Sequence, residues 1–448
     1  MTAATGADPQ AAAGPKERIG FSAWWMLAVL FLFYFIAWVD RYSLTMMVEP
    51  IKADLGLSDF RMSLILGPAF AVFYGVFGLP LGLAADRFSR RWVIFIGMVF
   101  WSMATMASGL ADTFYGLLLA RMAIGIGEAS LVPAAYSLLG DRFPKARLAT
   151  AMATFSMAQK IGMAASFTLA ALAIVAAASM HRWFPAATEF EPWQMAFLLL
   201  GAPGLVLAPL VFTFKEPPRR GAKAAKSVSD RRLFSYLKKE WRRSVPLALA
   251  VCFISICSSG LSSWAPAYIG RRFDWEPMQF GPVISLISLM SAFAVVAKGG
   301  IMDWLFSRGM KDAHVRFYTW LLMLGVPVAA IGFILPNPWL FVAALGFLQI
   351  IVIPYMVYFS ATIQLMAPVH VRGQMTGLYF GLSALVGAGF GPMIVGAVTD
   401  FVFADPAKLG WSLGIVITTG LTVTLFMLRI FLRGLSGAIQ ERAVLDAA

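Results

Sequence analysis

The stretch GLAADRFSRR, residues 82–91, ends an apolar run with a short charged turn and has a counterpart further along the chain. It places a glycine four residues before Asp86 and continues with basic residues. The later stretch GGIMDWLFSRG, residues 299–309, repeats that spacing before Asp303. The two aspartates are 217 residues apart, which indicates a chain built from two copies of one structural unit.

A second pair of landmarks supports the duplication. FPKAR, residues 143–147, ends in Arg147, and PVHVRG, residues 368–373, contains Arg372, so each places an arginine after a proline. These arginines are 225 residues apart, close to the first offset of 217. Independent chance matches would not be expected to share an offset, and we predict two homologous halves.

The composition places the chain among membrane proteins. Of its 448 residues, 60% are hydrophobic and 13% are charged, and the mean hydropathy is +0.76. A bilayer core about 30 Å thick needs roughly 20 apolar residues for each helix that crosses it. Residues 1–20 are alanine-rich and polar, and we expect a disordered cytoplasmic N-terminus there. The first apolar run is too long for a cleavable signal.

Twelve apolar runs, numbered here as spans 1 to 12, are long enough to cross a bilayer. They lie at 21–47, 62–85, 92–111, 113–139, 149–179, 193–214, 245–269, 278–302, 314–335, 338–364, 372–402 and 409–433. We therefore expect an all-α membrane protein of twelve transmembrane helices in two pseudo-symmetric six-helix bundles, 21–214 and 245–433. A basic cytoplasmic linker, 215–244, would join them, and residues 434–448 would form a cytoplasmic tail.

The distribution of lysine and arginine predicts the orientation. With a cytoplasmic N-terminus, and with residues near the cytoplasmic ends of spans counted with the adjoining segments, 26 of the 36 Lys and Arg residues are cytoplasmic, 6 lie on the opposite side and 4 inside spans. Cytoplasmic loops carry the excess of positive charge, so we expect both termini in the cytoplasm and the protein in a bacterial inner membrane. The net charge of +13 then reflects topology and contact with anionic lipid, and we expect no binding to nucleic acid.

The charged turn after span 2 predicts a latch at the cytoplasmic face. Gly82 permits close helix approach, and Asp86 is placed to pair with an arginine of the other half. We expect Arg87, Arg90 and Arg91 at the level of the headgroups. The alternative is a charged loop that only sets the topology. The full set of predicted latch residues is Gly82, Asp86, Arg87, Arg90, Arg91, Arg147, Asp303 and Arg372.

Four charged residues interrupt apolar spans. Asp40 and Arg41 lie in span 1, and Arg121 and Glu128 lie in span 4, at a cost of about 3 kcal/mol for each buried charge. Arg121 and Glu128 are seven residues apart, hence on one helix face. Between spans 1 and 4, Asp40 can pair with Arg121, or Arg41 with Glu128. Two interpretations are open for these pairs: static ion pairs, or a network that switches partners. In a switching network we expect Glu128 first, and Asp40 second, to carry a proton that Arg121 displaces.

Two lysines also fall inside spans. Lys160 lies about eleven residues into span 5, roughly 16 Å deep, and needs a counter-ion or an aqueous cavity. We assign it to substrate binding together with Gln159, Arg41 and Arg121. Lys298 lies near the end of span 8, and we expect its side chain to snorkel to the interface.

The second half lacks charged residues at the positions equivalent to the four charges of spans 1 and 4. We therefore expect proton coupling to reside in the first half. The second half would supply an apolar and aromatic wall for the substrate, although bulk packing explains each aromatic residue equally well. The candidates are Trp264, Tyr355, Tyr358 and Tyr379.

Two motifs carry a resemblance to a known family. Residues 40–42 read D-R-Y in span 1, and residues 121–129 read R-x-x-x-G-x-G-E-A in span 4. With their flanking sequence they resemble the spinster-like branch of the major facilitator superfamily, whose bacterial members are spinster homologues. That resemblance implies a secondary transporter with its substrate site between two halves and an alternating-access mechanism. It also implies cavity and coupling roles for the four charged residues of spans 1 and 4.

The resemblance implies a proton-linked or facilitated carrier of lipid-like molecules such as lysophospholipids and sphingoid phosphates. From the residues alone, an amphiphilic drug or a small organic anion, hexuronate-like or benzoate-like, fits as well. We expect the proton gradient as the energy source, with no cofactor and no metal. The expected partners are a small amphipathic or anionic substrate, protons and the bilayer, and we expect a monomer.

Other classes of protein remain as alternatives. A solute sensor built on a transporter fold, an uncoupled facilitator and a drug exporter each fit the same pattern. An intramembrane enzyme is disfavoured because His181, His314 and His370 show no ligand spacing and no nucleophile–base pair is evident. No cluster of carboxylates typical of a sodium site is evident, which favours H⁺ as the coupling ion.

Overall fold

The computed structural model describes residues 20–183, 189–219, 230–310, 312–352, 355–367 and 369–445. Within these ranges the chain is helical and contains no β-strand. Twelve helical segments are long and apolar enough to cross a membrane, which confirms the predicted class and number of spans. The predicted tail 1–20, apart from Gly20, lies outside the described residues, as do residues 220–229 of the linker.

The spans have the following bounds in the structure. In the first half they are Phe21–Met46, Asp59–Arg87, Arg90–Ser108, Phe114–Arg142, Thr150–Met180 and Pro192–Thr213. In the second half they are Trp241–Phe273, Pro277–Ser307, Ala313–Gly332, Pro338–Gln364, Val371–Phe403 and Pro406–Gly434. The helices that contain spans 5 and 12 extend further, to Lys145–Trp183 and Leu409–Leu445.

Several spans are interrupted. Span 2 is formed by helices Asp59–Leu66 and Pro68–Arg87, and span 4 by Phe114–Glu128 and Leu131–Arg142. In span 10 the described residues form the helices Pro338–Val352 and Tyr355–Met366, on either side of two residues that lie outside the described ranges. Span 11 contains the α-helices Val369–Leu382 and Gly389–Ala397, with π-helical segments at Ser383–Ala388 and Val398–Phe403. Such π-helical segments are frequent at functional sites.

The alternating direction of the spans defines two faces. Span 1 begins and span 12 ends at one face, called here the terminal face, and span 1 ends and span 2 begins at the opposite, distal face. A short helix, Val48–Leu55, lies at the distal face. Part of the predicted linker forms a helix, Asp230–Lys239, whose Leu233 and Leu237 pack against the core, and span 7 begins at Trp241.

The two halves meet along spans 2 and 11 and along spans 5 and 8. Glycines make this contact close. A Cβ on Gly67 would lie 2.6 Å from the carbonyl oxygen of Gly389, and one on Gly396 would lie 2.7 Å from that of Asp59. A Cβ on Gly281 would lie 2.8 Å from the carbonyl oxygen of Phe167. Small residues allow helices to pack closely in a membrane, where packing drives association.

Candidate functional site

The four charged residues of spans 1 and 4, called here the quartet, lie together, with Arg41 partly exposed and the other three buried. Asp40, Arg121 and Glu128 are each no more than 2% exposed. Arg41 donates from Nη2 to the Oε2 of Glu128, so the structure contains the second of the two predicted cross-pairs. Arg121 Nη2 lies 3.4 Å from the main-chain oxygen of Arg41, which joins the two spans a second time.

Aromatic rings surround the guanidinium of Arg41. Its central carbon lies 4.5 Å from the ring centre of Trp38, 4.2 Å from that of Phe70 and 5.2 Å from that of Tyr74. An arginine over aromatic faces in a dry site gains cation–π attraction in addition to its ion pair. These three rings are part of the site, although the sequence did not single them out, because aromatic residues are common throughout the spans.

Several polar atoms of the quartet have no hydrogen-bond partner among the described residues. They are Asp40 Oδ2, Arg41 Nε, Arg121 Nε and Nη1, and Glu128 Oε1. Burying such groups unpaired is costly, because water no longer solvates them. The quartet therefore holds one completed ion pair and a remaining arginine and aspartate, which are available to other groups.

Local sequence explains how span 4 presents Glu128. The first helix of the span ends at Glu128, and the second begins at Leu131. A Cβ on Gly125 would lie 2.7 Å from the carbonyl oxygen of Phe70, and one on Gly127 would lie 2.8 Å from the Cβ of Trp101. These glycines let spans 2 and 3 pack closely on span 4, which fixes the depth and direction of the carboxylate.

Lys160 and Lys298 form a second cationic site at the seam between the halves. Lys160 of span 5 lines a cavity of about 10 Å³ together with Met163, Ser288, Ser291, Ala292 and Val295. Lys298 of span 8 is 6% exposed and donates from Nζ to the main-chain oxygen of Ile350 in span 10. The expectation that Lys298 snorkels to the interface is therefore wrong, because a main-chain carbonyl of span 10 binds its ammonium inside the protein. Gln159 is half-buried beside Lys160.

The four aromatic candidates do not share one wall. Tyr355 bonds with Ser383 at the first π-helical segment, and Tyr358 lies under the ammonium of Lys298 at 5.9 Å. Trp264 donates to the carbonyl oxygen of Pro392 at 3.0 Å, near the distal face. Tyr379 donates to the carbonyl oxygen of Ser244 at 2.9 Å, near the terminal face. Of these four, Tyr358 contacts the lysine site, and substrate contact stays a prediction for all four.

The predicted latch residues divide into two groups at the terminal face. Asp86, Arg87, Arg147 and Asp303 are exposed, and in the described part of the chain neither aspartate forms an ion pair. A Cβ on Gly82 would lie 3.7 Å from the ring of Pro133, so this glycine packs within its own half.

The other latch residues have partners within their own half or beside it. Arg90, expected at the headgroups, is instead fully buried, where it pairs with Asp141 and with Glu216 at 2.9 Å. Arg91 donates to the carbonyl oxygen of Phe214 at 2.9 Å. Arg372 donates to that of Ala367 at 2.8 Å.

An ion-pair network that the sequence analysis missed joins the halves at the distal face. Arg271 of span 7 binds Asp59 of span 2 at 2.6 Å and Glu49 of the short distal helix at 2.7 Å, and Lys52 also binds Asp59. We call Glu49, Lys52, Asp59 and Arg271 the distal network. Asp400 of span 11 accepts from the backbone N–H of Phe60 at 2.6 Å. The sequence contained one signal for this network: few lysine and arginine residues lie on the distal side, so Lys52 and Arg271 stand out there.

Comparisons with known proteins agree with this architecture. An MFS-type efflux pump of Mycolicibacterium smegmatis is 26% identical over 397 residues, covering 88% of this chain and 87% of the pump. A probable L-galactonate transporter of Escherichia coli is 25% identical over 394 residues, covering 83% of each protein.

A solved structure shares the fold. It is the crystal structure of a bacterial homolog of the human lysosomal transporter Spinster, in an inward-facing and unoccupied conformation. The TM-score is 0.78 at 22% sequence identity, covering 95% of this chain and 98% of that chain. The arrangement of twelve spans in two halves is thus the fold of that structure. The Major Facilitator Superfamily model matches residues 30–392, and the chain belongs to this superfamily.

Proposed function

We propose that the protein is a proton-coupled transporter that moves a small organic anion by alternating access. The observation that carries the proposal is the state of Arg121, which is 1% exposed and has two N–H-bearing nitrogens without a partner. Glu128 is bonded to Arg41 and does not bond to Arg121. A buried guanidinium with free donors is suited to bind a carboxylate or a phosphate.

Asp40 and Glu128 are the proton-binding groups of this proposal. Glu128 has its arginine partner in this state, whereas no described residue donates a hydrogen bond to Asp40 Oδ2. A buried carboxylate without a bonded cation is costly, so a carboxyl that loses its arginine binds a proton. Exchange of arginine partners between states would thus move protons through the quartet.

The same site couples the anion to the proton. An anion bound at Arg121 removes the favourable field of that arginine from Asp40 and adds a negative charge next to it. Both effects favour a proton on the carboxyl group. Proton and substrate therefore bind together, and we propose symport in preference to antiport or facilitation.

Alternating access follows from the two faces. The hydrogen bonds that the described residues make between the halves lie at the distal network, at Asp400 and at Thr168 with Ser285. The latch aspartates at the terminal face are exposed. With the terminal face in the cytoplasm, as the lysine and arginine distribution predicts, this is an inward-facing state in a bacterial inner membrane.

The anionic class is favoured over a lipid or a drug for two reasons. The site contains a buried arginine with free donors, and one relative is a probable transporter of L-galactonate, which is an organic anion. One relative is an efflux pump, and the fold is that of a spinster homologue. The test therefore also includes a drug-like cation and a lysolipid as alternative substrates.

The test is proton flux into proteoliposomes that contain the purified full-length protein. The probes are small organic anions, including gluconate and benzoate, together with a lysophospholipid, a sphingoid base and a cationic dye. We expect an anion to trigger proton uptake in the wild type. Glu128→Gln should abolish uptake driven by a pH gradient while leaving exchange of labelled anion partly intact, and Arg121→Ala should impair both.

A matched control is Glu189→Gln, which makes the same chemical change at an exposed position. It should leave both transport modes unchanged. Gradient-driven uptake at the wild-type rate in Glu128→Gln would exclude Glu128 as the proton carrier and leave Asp40 as the candidate. Proton flux triggered only by the lysolipid or the dye would overturn the assignment to organic anions. Equilibration of labelled anion without any pH change would indicate a facilitator.

A further inference from the structure

We propose that Lys160 and Lys298 form a second anion subsite, so that the preferred substrate carries two negative charges and bridges the two halves. This inference rests on the proposed function, in which the first anionic group binds Arg121. It concerns the substrate class and the way in which substrate binding promotes closure.

The charge balance of the buried region is the first argument. The quartet contains two carboxyl groups and two guanidinium groups, which balance when both carboxyls are ionised. Lys160 and Lys298 add two cations, and within the described residues no Asp or Glu forms an ion pair with either. Two positive charges inside the membrane region require two counter-charges, and a substrate with two anionic groups supplies both.

The surroundings of the lysines are the second argument. The cavity beside Lys160 is lined by the hydroxyl-bearing residues Ser288 and Ser291, which also anchor Gln349 of span 10. Lys298 lies within one turn of Val295, which lines the same cavity as Lys160. An ammonium group and hydroxyl groups beside one small space can together donate hydrogen bonds to an anionic group that enters it.

The position at the seam gives the subsite its role. Lys160 belongs to the first half and Lys298 to the second, and spans 5 and 8 are held together by Thr168 and Ser285, whose hydroxyls are 2.7 Å apart. The cavity of about 10 Å³ has room for roughly one water molecule, so the two spans must part near the lysines to admit an anionic group. Two cations on opposite halves repel each other until an anion lies between them.

The subsite and the quartet are adjacent through span 1. A Cβ on Gly162, two residues from Lys160, would lie 2.9 Å from the Cβ of Trp38. The ring of Trp38 also covers the guanidinium of Arg41. A substrate with an anionic group at each end would therefore contact the proton-binding quartet and the seam together, and would connect proton binding with closure of the halves.

The test compares two probes of the same carbon number, the dianion D-glucarate and the monoanion D-gluconate. Binding to the purified full-length protein is measured by calorimetry, and transport is measured in proteoliposomes. We expect glucarate to bind at least about tenfold more tightly than gluconate, because it gains a second charge-assisted contact. Lys298→Met and Lys160→Met should each lower glucarate affinity about tenfold and change gluconate affinity less than about twofold.

Controls separate charge from structure. Lys298→Arg retains the charge and should keep the preference for glucarate. Lys215→Met removes a lysine from an exposed position and should change neither affinity. If both lysine-to-methionine variants weaken the two probes equally, or if wild type binds gluconate as tightly as glucarate, the dianion subsite is excluded.

The failure of this inference and that of the proposed function have different signatures. If monoanions trigger proton flux and the lysine variants bind glucarate as tightly as the wild type does, the subsite alone would be overturned. Failure of every organic anion to bind or to move protons would overturn the proposed function and the subsite with it.

Discussion

The distal and terminal faces of the molecule both carry charged residues, yet they are built in opposite ways. At the distal face Arg271 reaches across the seam to Asp59, whose side chain is fully buried, and Gly396 packs on the backbone of the same residue. At the terminal face Asp86 and Asp303 are exposed. One face is a formed joint between the halves, whereas at the other neither latch aspartate forms an ion pair among the described residues.

This difference indicates how an alternating-access protein uses charge. A joint that must open cannot depend on apolar burial alone, because an apolar surface exposed to water in the open state is costly. Opening costs less free energy at ion pairs, because water solvates the separated charges, and at glycine contacts, because glycine has no side chain to expose. The structure captures the distal joint closed, and the terminal charges are placed to form its counterpart in the opposite state.

The largest expected effect is at Arg271. Arg271→Leu leaves the buried carboxylate of Asp59 with Lys52 as its remaining cation, and breaking such a pair costs about 3 kcal/mol. The closed distal face is therefore destabilised relative to the open one. We expect a cysteine at Ser63, with Cys252 and Cys257 replaced by alanine, to react at least tenfold faster with an impermeant maleimide. Arg316→Leu breaks an exposed ion pair with Asp312 and should leave labelling unchanged.

The next effect in size is steric. Gly396→Leu places a side chain where a Cβ alone would lie 2.7 Å from a backbone oxygen, so spans 2 and 11 cannot approach to their present distance. We expect transport to be lost, and we expect a cysteine introduced at Ser285 to become accessible to a maleimide. Gly373 of the same span has open space around it, and Gly373→Leu is the matched control. Wild-type transport by Gly396→Leu would show that the glycine seam is not part of the gate.

A smaller effect is expected at the terminal face. Asp86→Asn removes a charge that is exposed in this state, so the free energy of unfolding should change by less than about 0.5 kcal/mol. The transport rate should nevertheless fall several-fold, because the latch forms only when the terminal face closes. Thermal unfolding and initial uptake rates measured on the same preparation test this. An unchanged rate would support the alternative that these charges only set the topology.

The smallest effect concerns Glu216 beside the buried Arg90. Burial by itself would raise the pKa of this carboxyl, but hydrogen bonds from the Ser89 hydroxyl and from Arg90 lower it below its ordinary value of 4.5. Its contribution to stability is therefore complete above about pH 4.5 and is lost as the pH falls through the lower folded-state value. We expect Glu216→Gln to flatten the dependence of melting temperature on pH in that range, and Glu189→Gln to retain it.

Much of the site was predictable because burial of charge in a membrane is rare and costly. Asp40, Arg41, Arg121 and Glu128 stood out against apolar spans, and their spacing restricted pairing to two alternatives, one of which the structure contains. The cage around Arg41 was not predictable, because aromatic residues occur throughout the spans and only tertiary packing selects three of them.

Lysine and arginine placement was harder to predict, because long side chains can reach several partners. Lys298 was expected at the interface, but it donates to the main-chain carbonyl of Ile350 in span 10 instead. Arg90 was expected at the headgroups, but Asp141 and Glu216 bind it inside the protein. In both cases the partner comes from a segment distant in sequence, and the sequence pattern around the cation does not reveal it.

The sequence by itself determined the class, the twelve spans, the duplication and the residues of the quartet. These follow from hydropathy, periodicity and the cost of burying charge, which act locally along the chain. Only the tertiary structure decided that Arg41 pairs with Glu128, that Lys160 and Lys298 meet at the seam, and that the distal face is the closed one. Those outcomes depend on which helices pack together and how closely glycines let them approach, and such contacts arise between residues far apart in sequence.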